Sequence, residues 1–97
     1  MGDTEDSGWQ RLDKFLFYAR FCKTRAAAAS LVADGFVRIN RQVTEKPHAR
    51  LRPGDVLTMA NARGVVVVEV LGLAKRREAA PRARLLYREI SEETLRE

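Results

Sequence analysis

Seven basic side chains fall between residues 11 and 41, and only two acidic side chains, Asp13 and Asp34, accompany them. Cations in such excess need an anionic partner, and a guanidinium presents a planar fork that matches the oxygens of a phosphate. The stretch therefore predicts a small rigid surface for a phosphate backbone. The basic residues are Arg11, Lys14, Arg20, Lys23, Arg25, Arg38 and Arg41.

Thr24 and Arg25 form the sharpest local signal. Threonine suits the N-cap of a helix, where the first backbone N–H groups and the partial positive charge of the helix make an anion site. Arg20, Lys23 and Arg25 flank this point, so four donor side chains would converge where a phosphate sits. A plain N-cap with solvated cations explains the same residues, and the residues by themselves leave both interpretations open.

Asp13 lies among cations near the start of the first predicted helix. An acidic residue is favoured at this end of a helix, whereas Arg11 and Lys14 are unfavourable there without a compensating partner. Asp13 can pair with either of them.

Side chains suited to catalysis or metal binding are sparse. Cys22 is the only cysteine and His48 the only histidine, so an internal disulfide is excluded and a metal site has almost no ligands. The sequence contains no nucleophile–base pair and no glycine-rich loop of the nucleotide-hydrolase kind. We therefore expect a non-enzymatic protein without cofactor or metal, in which Cys22 has a packing role.

Two helical patterns position the cations. Apolar residues recur on one face of each, and the second pattern begins after Thr24 and ends at Gly35, which suits a left-handed C′ position. Small alanines let the two helices approach closely. The predicted buried residues are Leu12, Phe15, Leu16 and Ala19 in the first helix and Ala28, Leu31 and Val32 in the second.

Downstream residues predict a small antiparallel sheet. Asn40-Arg41 indicates a tight turn, in which Arg41 either adopts the strained positive φ of a type I′ turn or selects another turn type. Residues 52–55 have the Pro-Gly order of a type II turn. Residues 65–70 form the strongest strand pattern, and Glu69 sets its phase, so Val67 is predicted to face outward.

The C-terminal residues follow another pattern. Residues 75–77 are a basic run, which is usually solvated. Pro81 suits the first turn of a third helix, and apolar residues at helix spacing continue it from Ala83 to Ile90. Acidic residues follow.

Length and composition indicate one small domain of 97 residues with 45% hydrophobic content, a net charge of +5 and a pI near 10.0. The apolar runs are too short to cross a membrane, and the acidic N-terminus is unlike a signal peptide. With a single cysteine, this favours a cytoplasmic protein. We expect disorder over residues 1–8, a domain over residues 9–73, and a basic then acidic, partly helical extension over residues 74–97.

Several spaced elements together resemble the RNA-binding domain named after ribosomal protein S4. The resemblance covers roughly residues 10 to 72. The matching residues are Arg11-Leu12-Asp13 with Leu16, Thr24-Arg25, Ala28 with Leu31-Val32, Gly35-Phe36-Val37-Arg38-Ile39-Asn40, and Arg52-Pro53-Gly54-Asp55-Val56-Leu57.

The resemblance implies a fold class and a partner. The implied fold is α+β, with two packed N-terminal helices on a small, bent, mainly antiparallel sheet and a short C-terminal helical tail. It implies that the partner is RNA, that Arg11 is a ligand and that Asp13 orients the neighbouring cations. Small bacterial heat-shock members of the family, which bind the large ribosomal subunit and recognise stalled particles, are similar beyond the domain, at Arg76-Arg77 and Leu85-Leu86-Tyr87.

We therefore predict a monomeric RNA-binding protein that recognises ribosomal RNA of the large subunit, during stress or the recycling of stalled particles. A basic surface of this kind fits RNA and DNA alike. Two alternatives remain at this point: a module that targets a separate RNA-modifying enzyme, and a protein-interaction module that docks a partner through its C-terminal helix. Removal of the tail is expected to leave a folded domain, because the core is predicted to end near Leu73.

Overall fold

The computed structural model describes residues 8–61 and 64–90. Two α-helices follow a first short strand, and the rest of the described chain forms strands, a third short helix and a 3₁₀ turn. The elements are β1 (Gln10–Arg11), α1 (Leu12–Tyr18), α2 (Arg25–Ala33), β2 (Val37–Ile39), β3 (Gln42–Val43), β4 (Arg50–Leu51), β5 (Val56–Asn61), β6 (Gly64–Val70), α3 (Ala80–Ala83), a 3₁₀ turn (Arg84–Leu86) and β7 (Tyr87–Glu89).

Five strands form an antiparallel sheet in the order β3-β2-β5-β6-β7. The chain leaves this sheet after β3, and β4 pairs instead with β1, with Gln10 opposite Leu51. It then returns as β5. This confirms the predicted α+β class with a mainly antiparallel sheet.

The helices bury the faces that their apolar spacing predicts. All four predicted residues of α1 are buried, and Ala28 and Val32 of α2 are fully buried against them. Leu31 is only partly buried at the edge of this core. The other side of the core comes from the inner face of the sheet, where Val37, Leu57 and Val68 have no exposed surface.

Both predicted turns are present, and at Asn40-Arg41 the structure has the first of the two alternatives, positive φ at both residues. Asn40 and Arg41 have φ values of 52° and 74°, and a type I′ turn requires positive φ at both positions. Gly54 has a φ of 98°, and the Asp55 amide donates to the Arg52 carbonyl at 3.0 Å, as in a type II turn. The Asn40 side chain donates to Asp55 Oδ1 at 3.0 Å and thereby links the two turns.

Val67 lies on the face of β6 away from the core cluster, as predicted, because Val66, Val68 and Val70 are the residues of this strand that pack in the core. Its side chain is nevertheless only 6% exposed.

One local prediction was wrong. The helix predicted from Ala83 to Ile90 ends after Leu86, and Tyr87–Glu89 is a strand paired with β6. Pairing satisfies backbone groups that the edge of β6 would otherwise expose.

The C-terminal extension contributes to the sheet and to the core. The ring of Tyr87 lies 4.5 Å from that of Phe21, and Leu86 packs against the core. The domain limit at residue 73 stays a prediction. The predicted disorder of residues 1–8 falls almost entirely outside the described residues, as do the acidic residues after position 90. Within residues 8–61 and 64–90, no helix is long and apolar enough to cross a membrane.

Candidate nucleic-acid interface

Asp13 is the buried centre of the basic surface. It lies in the first turn of α1 and is 3% exposed. Its carboxylate accepts two hydrogen bonds from Arg11, from Nε at 3.1 Å and from Nη2 at 2.9 Å. Arg25 Nη2 lies 3.5 Å from Asp13 Oδ2, so one carboxylate connects the end of β1, α1 and the start of α2.

Both arginine side chains remain accessible while Asp13 holds them. The side chain of Arg11 is 37% exposed and that of Arg25 is 44% exposed. A bidentate pair fixes the plane of a guanidinium and leaves its other N–H groups free to donate outward. Asp13 thus orients two cations toward solvent without being accessible itself. Its pairing with Arg11 was one of the two predicted pairings, and its contact with Arg25 was not predicted.

The start of α2 is arranged to receive an anion. Thr24 adopts an extended backbone and its hydroxyl accepts from the Ala27 amide at 2.9 Å, which confirms the predicted N-cap. The first amides of a helix have no partner within it. Those of Arg25 and Ala26 therefore look to solvent or a ligand at an exposed position beside the Arg25 guanidinium.

At the start of α1, by contrast, the first backbone amides already have acceptors within the protein. The Leu12 amide donates to the Ala49 carbonyl at 2.9 Å, and the Asp13 amide donates to the Pro47 carbonyl at 3.0 Å. The loop before β4 thus occupies the position where an anion would bind. Of the two long helices, only α2 offers its first turn to a phosphate.

Arg20 points toward the C-terminal extension. It has a φ of 69°, which turns the chain out of α1, and its Nη1 donates to the Glu78 carbonyl at 3.1 Å. Arg25 is bonded to Asp13 instead, so two residues predicted to share one phosphate are attached to different parts of the molecule. Lys23 is exposed on the connector between them.

The remaining predicted residues lie on α1, on β2 and in the β2–β3 turn. Lys14 is half-buried on α1. Arg38 is exposed on β2, in register with Thr58 and Val43, and Arg41 is exposed in the β2–β3 turn. All of these cations lie on the elements that the sequence predicted for them.

Two cation–aromatic contacts were missed. The Arg77 guanidinium lies 4.9 Å from the centre of the Phe17 ring, and its Nε donates to the Phe17 carbonyl at 3.2 Å. Arg50 lies 4.5 Å from the centre of the Trp9 ring. The last carbonyls of any helix need donors, so a basic side chain near the end of α1 could have been predicted. The sequence does not indicate that Arg77 supplies it.

The described residues provide neither an activated thiol nor a metal site. Burial raises the pKa of the Cys22 thiol, which keeps it protonated, and its side chain packs against the core. Within residues 8–61 and 64–90, no group of three or more histidine, cysteine, aspartate or glutamate side chains is placed to hold a metal ion.

Comparison with known proteins gives one consistent family. The S4 domain model matches residues 10–57. Heat shock protein 15 of Escherichia coli is 38% identical over 82 residues, which cover 84% of this chain and 61% of that protein. Small ribosomal subunit protein uS4 of Erythrobacter litoralis is 35% identical over 69 residues, which cover 69% of this chain and 34% of that protein.

A solved structure has the same fold. Heat shock protein 15 of Vibrio cholerae, described as trimeric, matches with a TM-score of 0.80 and 33% identity, over 91% of this chain and 87% of that chain. The chain spans about three fifths of the length of the curated heat shock protein 15 relatives that it matches. The buried aspartate between two accessible arginines and the capped, open start of α2 lie within the matched residues 10–57, and the chain belongs to the S4 domain family.

Proposed function

We propose that this protein is a non-enzymatic RNA-binding protein that recognises structured ribosomal RNA. The observation that carries the proposal is the Asp13 carboxylate, which holds Arg11 and Arg25 beside the open start of α2. Membership of the S4 domain family supports the same partner. The proposed RNA-binding residues are Arg11, Lys14, Arg20, Lys23, Thr24, Arg25, Arg38 and Arg41.

The mechanism is recognition of the phosphate backbone by a rigid cationic surface. The centre of the proposed surface lies at the starts of two helices whose apolar faces are buried in the core, so little conformational entropy is lost there when RNA binds. Double-stranded RNA is recognised largely through its shape and its phosphate and 2′-hydroxyl groups. The spacing of Arg11 and Arg25 about one carboxylate then selects a phosphate arrangement rather than a base sequence.

The physiological target is ribosomal RNA of the large subunit, in stress or in the recycling of stalled particles, and the protein acts in the cytoplasm. The names of the relatives support the coarser part of this target, because a small ribosomal subunit protein suggests ribosomal RNA and a heat shock protein suggests a role in stress, whereas neither name mentions the large subunit. Co-sedimentation with purified subunits tests it. Binding to free large subunits and not to small subunits is expected, and the reverse preference would refute the assignment.

A charge reversal at the start of α2 tests the site itself. Arg25→Glu should weaken binding to a structured ribosomal RNA fragment by roughly 30-fold or more, since it removes a charge-assisted contact and adds repulsion. Arg52→Glu makes the same change of charge at an exposed position on the turn before β5 and is the matched control. Equal losses for the two variants would show that only net charge matters.

Salt dependence tests the mechanism separately. Neutralisation of roughly four to six phosphates predicts that log affinity falls with log salt at a slope of about −3 to −5. Fluorescence anisotropy at several salt concentrations measures this slope. A flat response would remove the phosphate-backbone mechanism.

The functional unit is a monomer in this proposal, because the Asp13 carboxylate joins Arg11 and Arg25 within a single fold without a residue of another copy. The trimeric description of the Vibrio cholerae relative gives the competing possibility. Analytical ultracentrifugation with and without RNA separates them. RNA binding that begins only at concentrations where trimers form would contradict the monomer.

A further inference from the structure

The C-terminal extension forms a second basic feature, an open cleft of about 440 Å³. One wall is the segment 73–76 and the other is the segment 82–86. The cleft has an apolar base made by Leu73 and Leu86, while Leu85 rises beside it and is 73% exposed. Lys75, Arg76 and Arg82 line its edge.

The backbone around the cleft is held by contacts with the rest of the domain. The Ala74 carbonyl accepts a 2.7 Å hydrogen bond from Gln10, whose side chain is fully buried. The amides of Leu71 and Gly72 both donate to the Leu86 carbonyl, at 2.8 and 3.2 Å, and tie the two walls together. The cleft is therefore formed before any ligand arrives.

The electrostatics of the cleft favour an anion. Its lining carries three cations and one acid, Glu78. The Glu78 backbone is attached to the end of α1, because its amide donates to the Tyr18 carbonyl at 3.4 Å and its carbonyl accepts from Arg20. Arg20 thus joins the α1–α2 surface to the cleft, so one RNA molecule can reach both.

We propose that this cleft binds an unpaired nucleotide of the same RNA. The proposal rests on the RNA-binding function above and adds a preference for a single-stranded segment next to the structured region. A phosphate would lie among Lys75, Arg76 and Arg82, and the base would lie on the leucines or against a guanidinium plane. The volume is in the range of pockets that enclose a small ligand, which suits one nucleotide.

The test compares two RNAs with the full chain. One is a blunt hairpin of ribosomal sequence and the other is the same hairpin with a single-stranded extension of several nucleotides. The double variant Arg76→Ala/Arg82→Ala should lose roughly tenfold in affinity for the extended RNA and less than about twofold for the hairpin. Lys46→Ala/Arg52→Ala removes the same charge from exposed positions elsewhere and is the control.

A second variant examines the apolar part of the cleft without any change of charge. Leu85→Ser should weaken only the extended RNA, by a few-fold, and its exposure means that the fold tolerates it. Equal losses on both RNAs for the double variant, or no loss on either, would overturn the cleft assignment. Competition for the cleft by a polyglutamate peptide, with RNA binding unaffected by the variants, would assign it to a protein instead.

These outcomes are separable from failure of the proposed function. If the unaltered protein binds neither RNA, the RNA-binding proposal itself fails. If it binds both RNAs equally, and Arg25→Glu weakens both, the function stands and the cleft proposal fails.

Discussion

Two regions of this chain carry almost the same charge but organise it differently. Residues 11–41 contain seven basic and two acidic side chains, and residues 71–90 contain six basic and two acidic side chains. In the first region a buried carboxylate, Asp13, aligns Arg11 and Arg25. In the second, Arg77 is held by a helix-end carbonyl and an aromatic ring. The density of basic residues does not show whether a cation is available to bind a ligand or is used to hold the fold together. The groups that each cation contacts do show this.

The largest effect is expected from removal of residues 74–97. Loss of strand β7 would leave the edge of β6 unpaired. The buried Ala74 and Ala83 and the ring of Tyr87 would be lost from the fold as well. We expect a loss of about 3–5 kcal/mol, which is most of the stability of a small domain. This reverses the expectation from sequence that the tail is dispensable.

Urea unfolding monitored by circular dichroism measures this loss. Arg76→Ala, at an exposed side chain of the same extension, is the control and should change little. A truncated protein as stable as the full chain would place the domain limit at residue 73 after all, and would make the extension a true appendage.

Asp13→Asn tests whether the buried carboxylate is what makes residues 11–41 differ from the C-terminal extension. The amide keeps the shape of the side chain but weakens both arginine contacts at a buried position, so the free energy of unfolding should fall by about 2 kcal/mol. RNA affinity should fall as well, although the net charge of the protein rises by one unit. Orientation of the arginines then outweighs charge.

Asp34→Asn provides the matched control for that variant. Asp34 is exposed at the end of α2, and the same change of charge there should raise RNA affinity slightly and leave stability unchanged. Titration of one RNA with both variants decides the question. An increase in affinity for Asp13→Asn would mean that the carboxylate only reduces the positive field.

Arg77→Ala and Arg76→Ala compare a cation that contacts the rest of the domain with a neighbouring cation that is exposed to solvent. Loss of the Arg77 contacts to Phe17 should lower the free energy of unfolding by about 1 kcal/mol. Arg76 is exposed, so its removal should leave stability within about 0.5 kcal/mol of the original. Thermal unfolding of the two proteins checks this, and equal stabilities would deny Arg77 its structural role.

Arg41→Gly should give the smallest effect, a stabilisation. Arg41 has a φ of 74°, which glycine adopts without strain, so the gain should be about 0.5 kcal/mol after the greater flexibility of the unfolded chain is counted. RNA affinity should fall in the same variant if Arg41 contacts a phosphate. Opposite signs for stability and affinity would separate the backbone role of this position from its charge.

Local signals in the sequence predicted much of the fold and of the candidate site. The stripe from Leu12 to Ala19, the Thr24 cap and Gly35 each depend on a few neighbouring residues, and the structure confirms all three. The Asp13–Arg25 contact was not predictable from spacing, because it joins two helices whose relative rotation depends on the packing of the whole core.

The C-terminal extension was predicted less well for a specific reason. Helix spacing and strand pairing both turn Tyr87 toward the core, so the apolar pattern does not distinguish them over so short a segment. Residues 87–89 form a strand because the edge of β6 is free to pair with them. That edge exists only once the sheet is assembled, so the sequence of the segment does not show it. Arg77 was misread as part of a solvated run because its partners, Phe17 and its carbonyl, lie far away in the sequence.

The pairing of β1 with β4 sets an order of assembly. Strands β5 and β6 pair residues as close in sequence as Asn61 and Gly64, whereas Gln10 must find Leu51 far along the chain, at a greater cost in loop entropy. The Leu12 and Asp13 amides reach their acceptors only when that pairing is made. We therefore expect the sheet to form early and α1 to settle late, so that only a completely folded chain presents Arg11 and Arg25 together to RNA.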